Sequence, residues 1–365
     1  EITKLRILDP ACGSGSFLIR AYERILEHYV EWFIAHPKEQ RPRFCYKDAN
    51  GDLCLTTPLK RQILTDNIYG VDIDGQAVEV TQLSLYLRML QGETKQTMNA
   101  QREMFGDQPI LPPLDQNIKQ GNSLISSDFS MLPDELTRVH AFDWNVGFKD
   151  IMSNGGFDAV IGNPPYGGTL TETETDYFYS HFKSQDYQLD TYLLFIEQAL
   201  ALGRLGGFVG YIIPNTWLLN LQSPKIRRQI FNGVQIENIV HYRHRVFPKV
   251  TVDTEVAIFK KESPSDSHKI RITVVEKDNK TDTYKIPQIW WRKADGKPVN
   301  IFARPEREGF ADKMRRFPLL DDICVITQGA KPFQVGKGKP RQTRKIVDEK
   351  PFVSEKKKNK TFRPL

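Results

Sequence analysis

The chain has 365 residues, enough for one large α/β domain plus part of another, and no stretch is apolar for long enough to cross a bilayer, which excludes a helical membrane protein. No signal peptide is visible, and the four cysteines (Cys12, Cys45, Cys54, Cys324) lack metal-ligand spacing, which points to free thiols in a reducing, cytoplasmic compartment and to no metal site. The formal net charge of +6 is unevenly spread: Lys331 to Leu365 holds twelve Lys or Arg against three acids, so residues 1–330 sum to about −3.

The first predicted strand, Leu5 to Leu8, runs into Asp9-Pro10-Ala11-Cys12-Gly13-Ser14-Gly15-Ser16-Phe17 and then into a helical pattern from Leu18 to Phe33. Gly13 and Gly15 carry no side chain, so a cofactor can approach this turn closely at a helix N-terminus; the plainer reading is a tight turn that serves packing. Residues 36–58 interrupt the crossover with a predicted hairpin turning near Asn50-Gly51, which brings Cys45 and Cys54 near each other without requiring a disulfide. Asn67 to Asp74 reads as a buried strand ending in acids, and Gln76 to Leu90 restores helical periodicity. Asp72 is placed to accept two ribose hydroxyls, and Asp74 to cap the helix; a solvated strand-end acid is the alternative for Asp72. Residues 92–117 read as a Pro- and Gln-containing loop, and 126–156 as a long connection.

Phe157 to Gly162 is an apolar strand that stops at Asn163-Pro164-Pro165-Tyr166. Two prolines end the ladder there and leave an amide, a free carbonyl and an aromatic ring at the strand's carboxyl end, where open α/β sheets bind ligands. Those are parts for holding a planar amine. Thr169 to Asp176 reads as a polar loop, followed by a helix from Asp190 to Leu202, a buried strand from Gly206 to Ile213 and a helix start at Ser223-Pro224. His241 and His244, three apart in a predicted strand, point to opposite faces. After the strand Glu255 to Phe259 come two shorter ones, Lys269 to Glu276 and Thr283 to Ile286, and then Ile289-Trp290-Trp291. Paired tryptophans of this kind are more often core or interface anchors than base-stacking residues.

The co-occurrence and order of these motifs resemble the gamma class of S-adenosylmethionine-dependent DNA adenine-N6 methyltransferases. The stretches Asp9 to Phe17, Asn67 to Asp74 and Gly121 to Ile125 are similar to the methylase part of type IIG restriction-modification enzymes. The resemblance covers residues 1–262 well and the rest loosely. It implies a doubly wound, Rossmann-like methyltransferase sheet, mostly parallel with an antiparallel last strand.

The resemblance also implies residue roles. Asp9, Ala11 and Gly13 match the motif that cradles the methionine part of S-adenosylmethionine, and Asp72 with Ile73 match its ribose and adenine contacts. Gly121-Asn122-Ser123-Leu124 matches the motif at the adenine edge, with Asn122 where aspartate is frequent; an amide oxygen accepts there without charge. Phe195 matches an aromatic lying against the same adenine, with core packing as the alternative. Asn163, Pro164, Pro165 and Tyr166 become the catalytic residues. Phe247, in Val246-Phe247-Pro248, matches a second aromatic that clamps the extruded base, or else closes a hydrophobic corner.

The expected organisation is a methyltransferase domain over 1–262 with inserts at 36–58, 92–117 and 126–156, followed by the truncated start of a DNA-recognition domain over 263–365. The partner implied is double-stranded DNA, with basic residues such as Lys331, Lys337, Lys339, Arg341, Arg344 and Lys345 available for phosphates, or else forming a solvated tail. The chain reads as a fragment of a longer polypeptide whose nuclease lies N-terminal to residue 1. Two other classes stay open on sequence: an N-methyltransferase acting on an RNA base or protein glutamine, and an inactive DNA-binding subunit.

Overall fold

The computed structural model describes residues 2–48, 50–105, 110–168, 170–184, 186, 190–244, 246, 253–278 and 280–304, with six isolated positions beyond (313, 317, 318, 323, 324 and 343). Phe247 and the basic residues from Lys331 to Lys345 that the sequence singled out lie outside them. The chain divides into Glu1–Pro305 and Glu306–Leu365, and the sheet and the helices packed on it belong to the first unit.

Eleven strands form among the described residues: β1 (Ile7–Asp9), β2 (Cys45–Lys47), β3 (Leu53–Leu55), β4 (Ile68–Asp72), β5 (Ile118–Gln120), β6 (Phe157–Gly162), β7 (Gly203–Pro214), β8 (Gln235–Tyr242), β9 (Thr254–Lys260), β10 (Lys269–Val275) and β11 (Thr281–Pro287). Nine of them make one sheet in the order β5-β4-β1-β6-β7-β9-β8-β10-β11. From β5 to β7 every pairing is parallel, and β9 runs antiparallel to both β7 and β8. This is the doubly wound sheet that the resemblance implied; the strand expected to be its antiparallel last one, Glu255 to Phe259, is the antiparallel β9, and β10 and β11 follow it. The chain leaves β1 toward β4 and returns on its other side as β6, so the strand order reverses between β1 and β6. Ligands bind outside the carboxyl ends of strands at such a reversal.

Helices Ser16–Ala35, Thr57–Asn67 and Gly75–Met89 pack on one another and on β1 and β4, while Thr191–Leu202 packs on β6 and β7. Local sequence explains their starts. Gly15 takes the left-handed conformation, φ 80°, at the N-cap of the first. Thr56 accepts from Leu59 N–H at the second, and Asp74 caps the third by accepting from Gln76 N–H at 2.9 Å, as expected. Ser223 holds the N-cap position of Pro224–Gly233, with no side-chain cap bond.

Four expectations need correction. The boundary placed after residue 262 falls inside the sheet: β10 pairs in parallel with β8, from Arg271 opposite Asn238 to Val275 opposite Tyr242, and β11 closes the edge antiparallel to β10. Their inward residues Ile270, Ile272, Val274 and Ile286 are buried in the main core, so these strands complete the first unit. The loop expected at Thr169 to Asp176 is largely the start of a helix, Glu172–His181. A reciprocal pair of bonds between Thr171 and Glu174 satisfies its first N–H groups, which outweighs the polar composition. The loop over 92–117 contains a helix, Lys95–Phe105, and 126–156 contains three short ones. The predicted hairpin is present, but Cys45 lies opposite Leu55 and Cys54 opposite Tyr46, so the two thiols point to opposite faces of the ribbon and stay free.

Trp291 sits in the short helix Gln288–Lys293, buried with its ring 5.3 Å from Phe231, which makes it a core anchor. Among the described residues no helix is long and apolar enough to cross a membrane, and no three His, Cys, Asp or Glu converge as a metal site.

Candidate active site

Two motifs separated by about 150 residues of sequence meet at the carboxyl ends of β1 and β6. The first is the glycine turn after β1. Its shape is set from the neighbouring strand: Cys12 N–H donates to Val71 O at 3.1 Å, and Gly13 N–H donates to Asp72 Oδ2 at 2.7 Å. Asp72 Oδ1 accepts from Asp74 N–H at 3.0 Å. Each carboxylate oxygen therefore holds one backbone N–H and keeps a lone pair. The Gly13 N–H is thus taken by Asp72. The open side of the turn is its Cα: a Cβ built on Gly13 would meet nothing within 4 Å.

Thr81 supplies a contact that motif reading missed. It is fully buried on the helix Gly75–Met89 and donates through Oγ1 to Gly13 O at 2.8 Å. Its methyl carbon would lie 2.8 Å from any Cβ at residue 15, so Gly15 is needed for close approach as well as for its left-handed φ. The signal was present in the sequence: Val78, Thr81, Leu85 and Met89 form the buried stripe of that helix, and one member is a hydroxyl.

Asp9, at the end of β1, is only 1% exposed, and its Oδ1 accepts from Ala11 N–H at 3.0 Å. Burial pushes its carboxyl up to about 7, against the lowering effect of the Ala11 N–H and with a smaller raising contribution from the Asp72 charge. Burial likewise pushes the Cys12 thiol up, so it is no nucleophile. Ser123, expected with Asn122 at the adenine edge, is buried and donates to Pro10 O at 2.5 Å, while its own carbonyl accepts from Trp144 Nε1 at 3.2 Å. It clasps the segment after β5 to the glycine turn. Asn122 is half-buried; its Oδ1 accepts from Leu124 N–H at 3.0 Å, and its amino end is uncommitted among the described residues. Ile73 is 49% exposed at the end of β4, an apolar face open to a planar ligand. Phe195 is 6% exposed inside the main core.

The second motif follows β6. Asn163 is exposed, Pro164 buried and Tyr166 half-buried. The Tyr166 hydroxyl lies 2.5 Å from Asn163 Oδ1 and 2.9 Å from Ile212 O on β7. Desolvation pushes this phenol up to about 12, so it stays protonated at neutral pH. The helix Thr191–Leu202 braces the loop from beneath: Thr191 Oγ1 lies 2.8 Å from Pro165 O and 3.1 Å from Gly167 O, and Tyr192 meets the Tyr166 ring edge-on at 6.2 Å. Sequence reading missed both. No donor among the described residues takes the Pro164 carbonyl, which leaves it open as an acceptor beside Asn163.

The sequence model of the Eco57I restriction-modification methylase family matches residues 66–247, and that of N-6 DNA methylase matches residues 2–110. The type II restriction enzyme and methyltransferase RM.Eco57I of Escherichia coli is 32% identical over 272 residues, covering 72% of this chain and 25% of its own length. The chain belongs to the Eco57I-type N6-adenine methylase family of restriction-modification systems. A further member of this kind, RM.BcgI of Heyndrickxia coagulans, is 23% identical over 256 residues, or 70% of this chain and 27% of its own. The type IIG restriction endonuclease BpuSI aligns with a TM-score of 0.48 and 15% identity over 96% of this chain and 37% of that one. The chain thus spans about a quarter of the length of RM.Eco57I and RM.BcgI. The parallel pairing of β1 with β6 is what brings the glycine turn and Asn-Pro-Pro-Tyr side by side.

Proposed function

We propose that this chain transfers the methyl group of S-adenosylmethionine to the exocyclic N6 of an adenine extruded from duplex DNA, as the modification part of a restriction-modification protein. The observation that supports this reading is the juxtaposition of a glycine turn open at Gly13 after β1 with the exposed Asn163, whose Oδ1 keeps a lone pair beyond its bond from the Tyr166 hydroxyl, and the Pro164 carbonyl, which no described donor takes, after the adjacent β6.

The residues fit the cofactor. Asp72 has one lone pair left on each oxygen for the two ribose hydroxyls, Ile73 offers an exposed apolar face to the adenine, and Asn122 offers an uncommitted amino end at its edge. Asp9, Ala11 and Gly13 frame the methionine end, with Asp9 acting through the backbone it fixes. When bound, the cofactor supplies an electrophilic methyl group on a sulfonium, already an excellent leaving group.

The remaining task belongs to the chain. Adenine N6 is a poor nucleophile because its lone pair is delocalised into the ring. Acceptance of its two N–H groups by Asn163 Oδ1 and Pro164 O draws the nitrogen toward tetrahedral geometry and frees the lone pair. With the cofactor in place, its sulfonium would supply the methyl group and leave as a neutral thioether, while Asn163 Oδ1 and Pro164 O would hold the nitrogen and the proton it gives up would pass to solvent. Positioning and electrostatics supply the acceleration, with no covalent enzyme intermediate. Pro165 stiffens the loop and Tyr166 offers a stacking face. The target nitrogen is paired inside the duplex, so extrusion precedes transfer; Phe247 enters as the second clamp through the family resemblance alone. We extend the same reading to a nuclease in the parent polypeptide, N-terminal to this chain, and to double-stranded DNA as partner in the cytoplasm.

The test is transfer of labelled methyl from S-adenosylmethionine to unmodified duplex DNA by the full-length protein, with nucleoside analysis of the product. N6-methyladenine is expected, with turnover reduced roughly 100-fold or more in Asn163→Ala at nearly unchanged cofactor affinity. Asp72→Ala should weaken cofactor binding instead. Methylation of RNA or protein with none of DNA would overturn the acceptor assignment, and full activity in Asn163→Ala the catalytic one.

A further inference from the structure

Beyond β6 the chain leaves the sheet ladder, and Pro164 and Pro165 bring no N–H groups of their own. Among the described residues, no backbone group of Pro164 to Gly168 bonds another backbone group. The main chain is held there by a side chain. Thr191, buried at the start of the helix Thr191–Leu202, places Oγ1 2.8 Å from Pro165 O and 3.1 Å from Gly167 O, so one hydroxyl proton is shared between the two carbonyls that flank Tyr166. Among the described residues no other donor reaches either carbonyl. Gly167 takes the left-handed conformation, φ 78°, at this bend, and a glycine there does not fix the backbone by itself.

The same helix also reaches toward the cofactor side. Thr191 and Phe195 are four residues apart, one turn or about 6 Å along the axis, and so lie on one face. Phe195 is the residue that the family resemblance matches to the aromatic against the cofactor's adenine. From the same first turn, Tyr192 meets the Tyr166 ring edge-on at 6.2 Å, and its hydroxyl lies 2.9 Å from Thr216 Oγ1, just beyond the end of β7.

Building on the function proposed above, we propose that Thr191 is a positioning residue: its hydroxyl fixes the backbone of the Asn-Pro-Pro-Tyr loop to the helix that carries Phe195, and so sets the spacing between methyl acceptor and methyl donor. Asn163 and Tyr166 supply an acceptor and a stacking face, but the residues of the loop do not set where those groups stand. The prolines restrict φ at 164 and 165 only, and the glycines after Tyr166 restrict nothing. Transfer demands a fixed spacing, since a misplacement of about 1 Å costs on the order of a hundredfold in rate. A hydroxyl that grips two carbonyls of the loop from a rigid helix supplies it.

Thr191→Val keeps the shape of the side chain and removes the hydroxyl. With the full-length protein, kcat for methyl transfer should fall roughly tenfold or more, while KM for DNA and Kd for S-adenosylmethionine stay within about twofold. Thr191→Ser retains the hydroxyl and should recover most of the rate. Transfer in Thr191→Val within about twofold of the parent, a serine variant as slow as the valine one, or cofactor affinity falling in parallel with the rate would overturn the proposal. A second measurement needs no methyl acceptor. Amide hydrogen exchange over Tyr166 to Gly168 should quicken roughly tenfold in Thr191→Val while exchange in the helix Thr191–Leu202 stays as it was, and unchanged exchange in the loop would refute the tether directly. If the unaltered protein leaves DNA unmethylated while the loop responds in this way, the acceptor assignment fails and the tether stands.

Discussion

Gly162 and Asp9 touch: a Cβ built on Gly162 would lie 2.7 Å from Asp9 Oδ1. The residue before Asn163 is therefore packed on the carboxylate that shapes the glycine turn, and the two motifs share one buried contact. Gly162→Ala forces either Asp9 or the end of β6 to move. Overpacking of this kind costs about 1–3 kcal/mol, which a melting curve will read. Because the shift falls on the two strand ends that must align for transfer, turnover should drop roughly tenfold or more, beyond what the lost stability explains.

Thr81 holds the carbonyl of Gly13 while Asp72 holds its N–H, so both polar groups of one glycine are fixed from the β4 side. Thr81→Val keeps the shape, removes the hydroxyl and leaves a carbonyl unpaired. Loss of one such bond is worth about 1–1.5 kcal/mol, so the dissociation constant for S-adenosylmethionine should rise roughly tenfold in calorimetric titration, with Thr81→Ser recovering most of it. Equal affinity in Thr81→Val would mean that Asp72 alone suffices.

Asp9 makes a pH signature. Its folded-state carboxyl is raised to about 7 from the ordinary 3.8, so the folded protein binds its proton more tightly than the unfolded chain. Stability from this group is full below the unfolded value and is lost as the pH rises from about 4 through about 7. Asp9→Asn cannot ionise. The melting temperature of the variant minus that of the parent should therefore climb across that window and level off above it. A difference that stays flat from pH 4 to 8 would show that Asp9 ionises normally.

The order of elements was legible in the residues themselves, as were the amide and two prolines that end β6. β1, β4 and β6 announce themselves as short β-branched or apolar runs ended by Pro, Gly or Asp, and Asp74 caps its helix where a side-chain acceptor before a periodic run predicts. The Thr171 and Glu174 pair was legible too, as a threonine followed three residues later by a glutamate, but polar composition argued for a loop and the cap decided otherwise. Thr81 carried its signal as the odd hydroxyl in a buried stripe. For Thr191 there was none, since its partner carbonyls lie 24 and 26 residues away.

By itself the sequence determined which groups are available: an amide and a proline carbonyl after one strand, a glycine turn after another, acids after a third. That follows from local physics, because side-chain periodicity, caps and prolines act within a few residues. Only the tertiary structure decided that β6 lies beside β1, that Asp72 is bound to the glycine turn, that Ser123 bonds Pro10, and that the sheet runs on through β10 and β11 past residue 262. Each of these depends on pairing between segments tens to more than a hundred residues apart, which is selected by burial of whole strands in a shared core and leaves no mark in any single window of sequence.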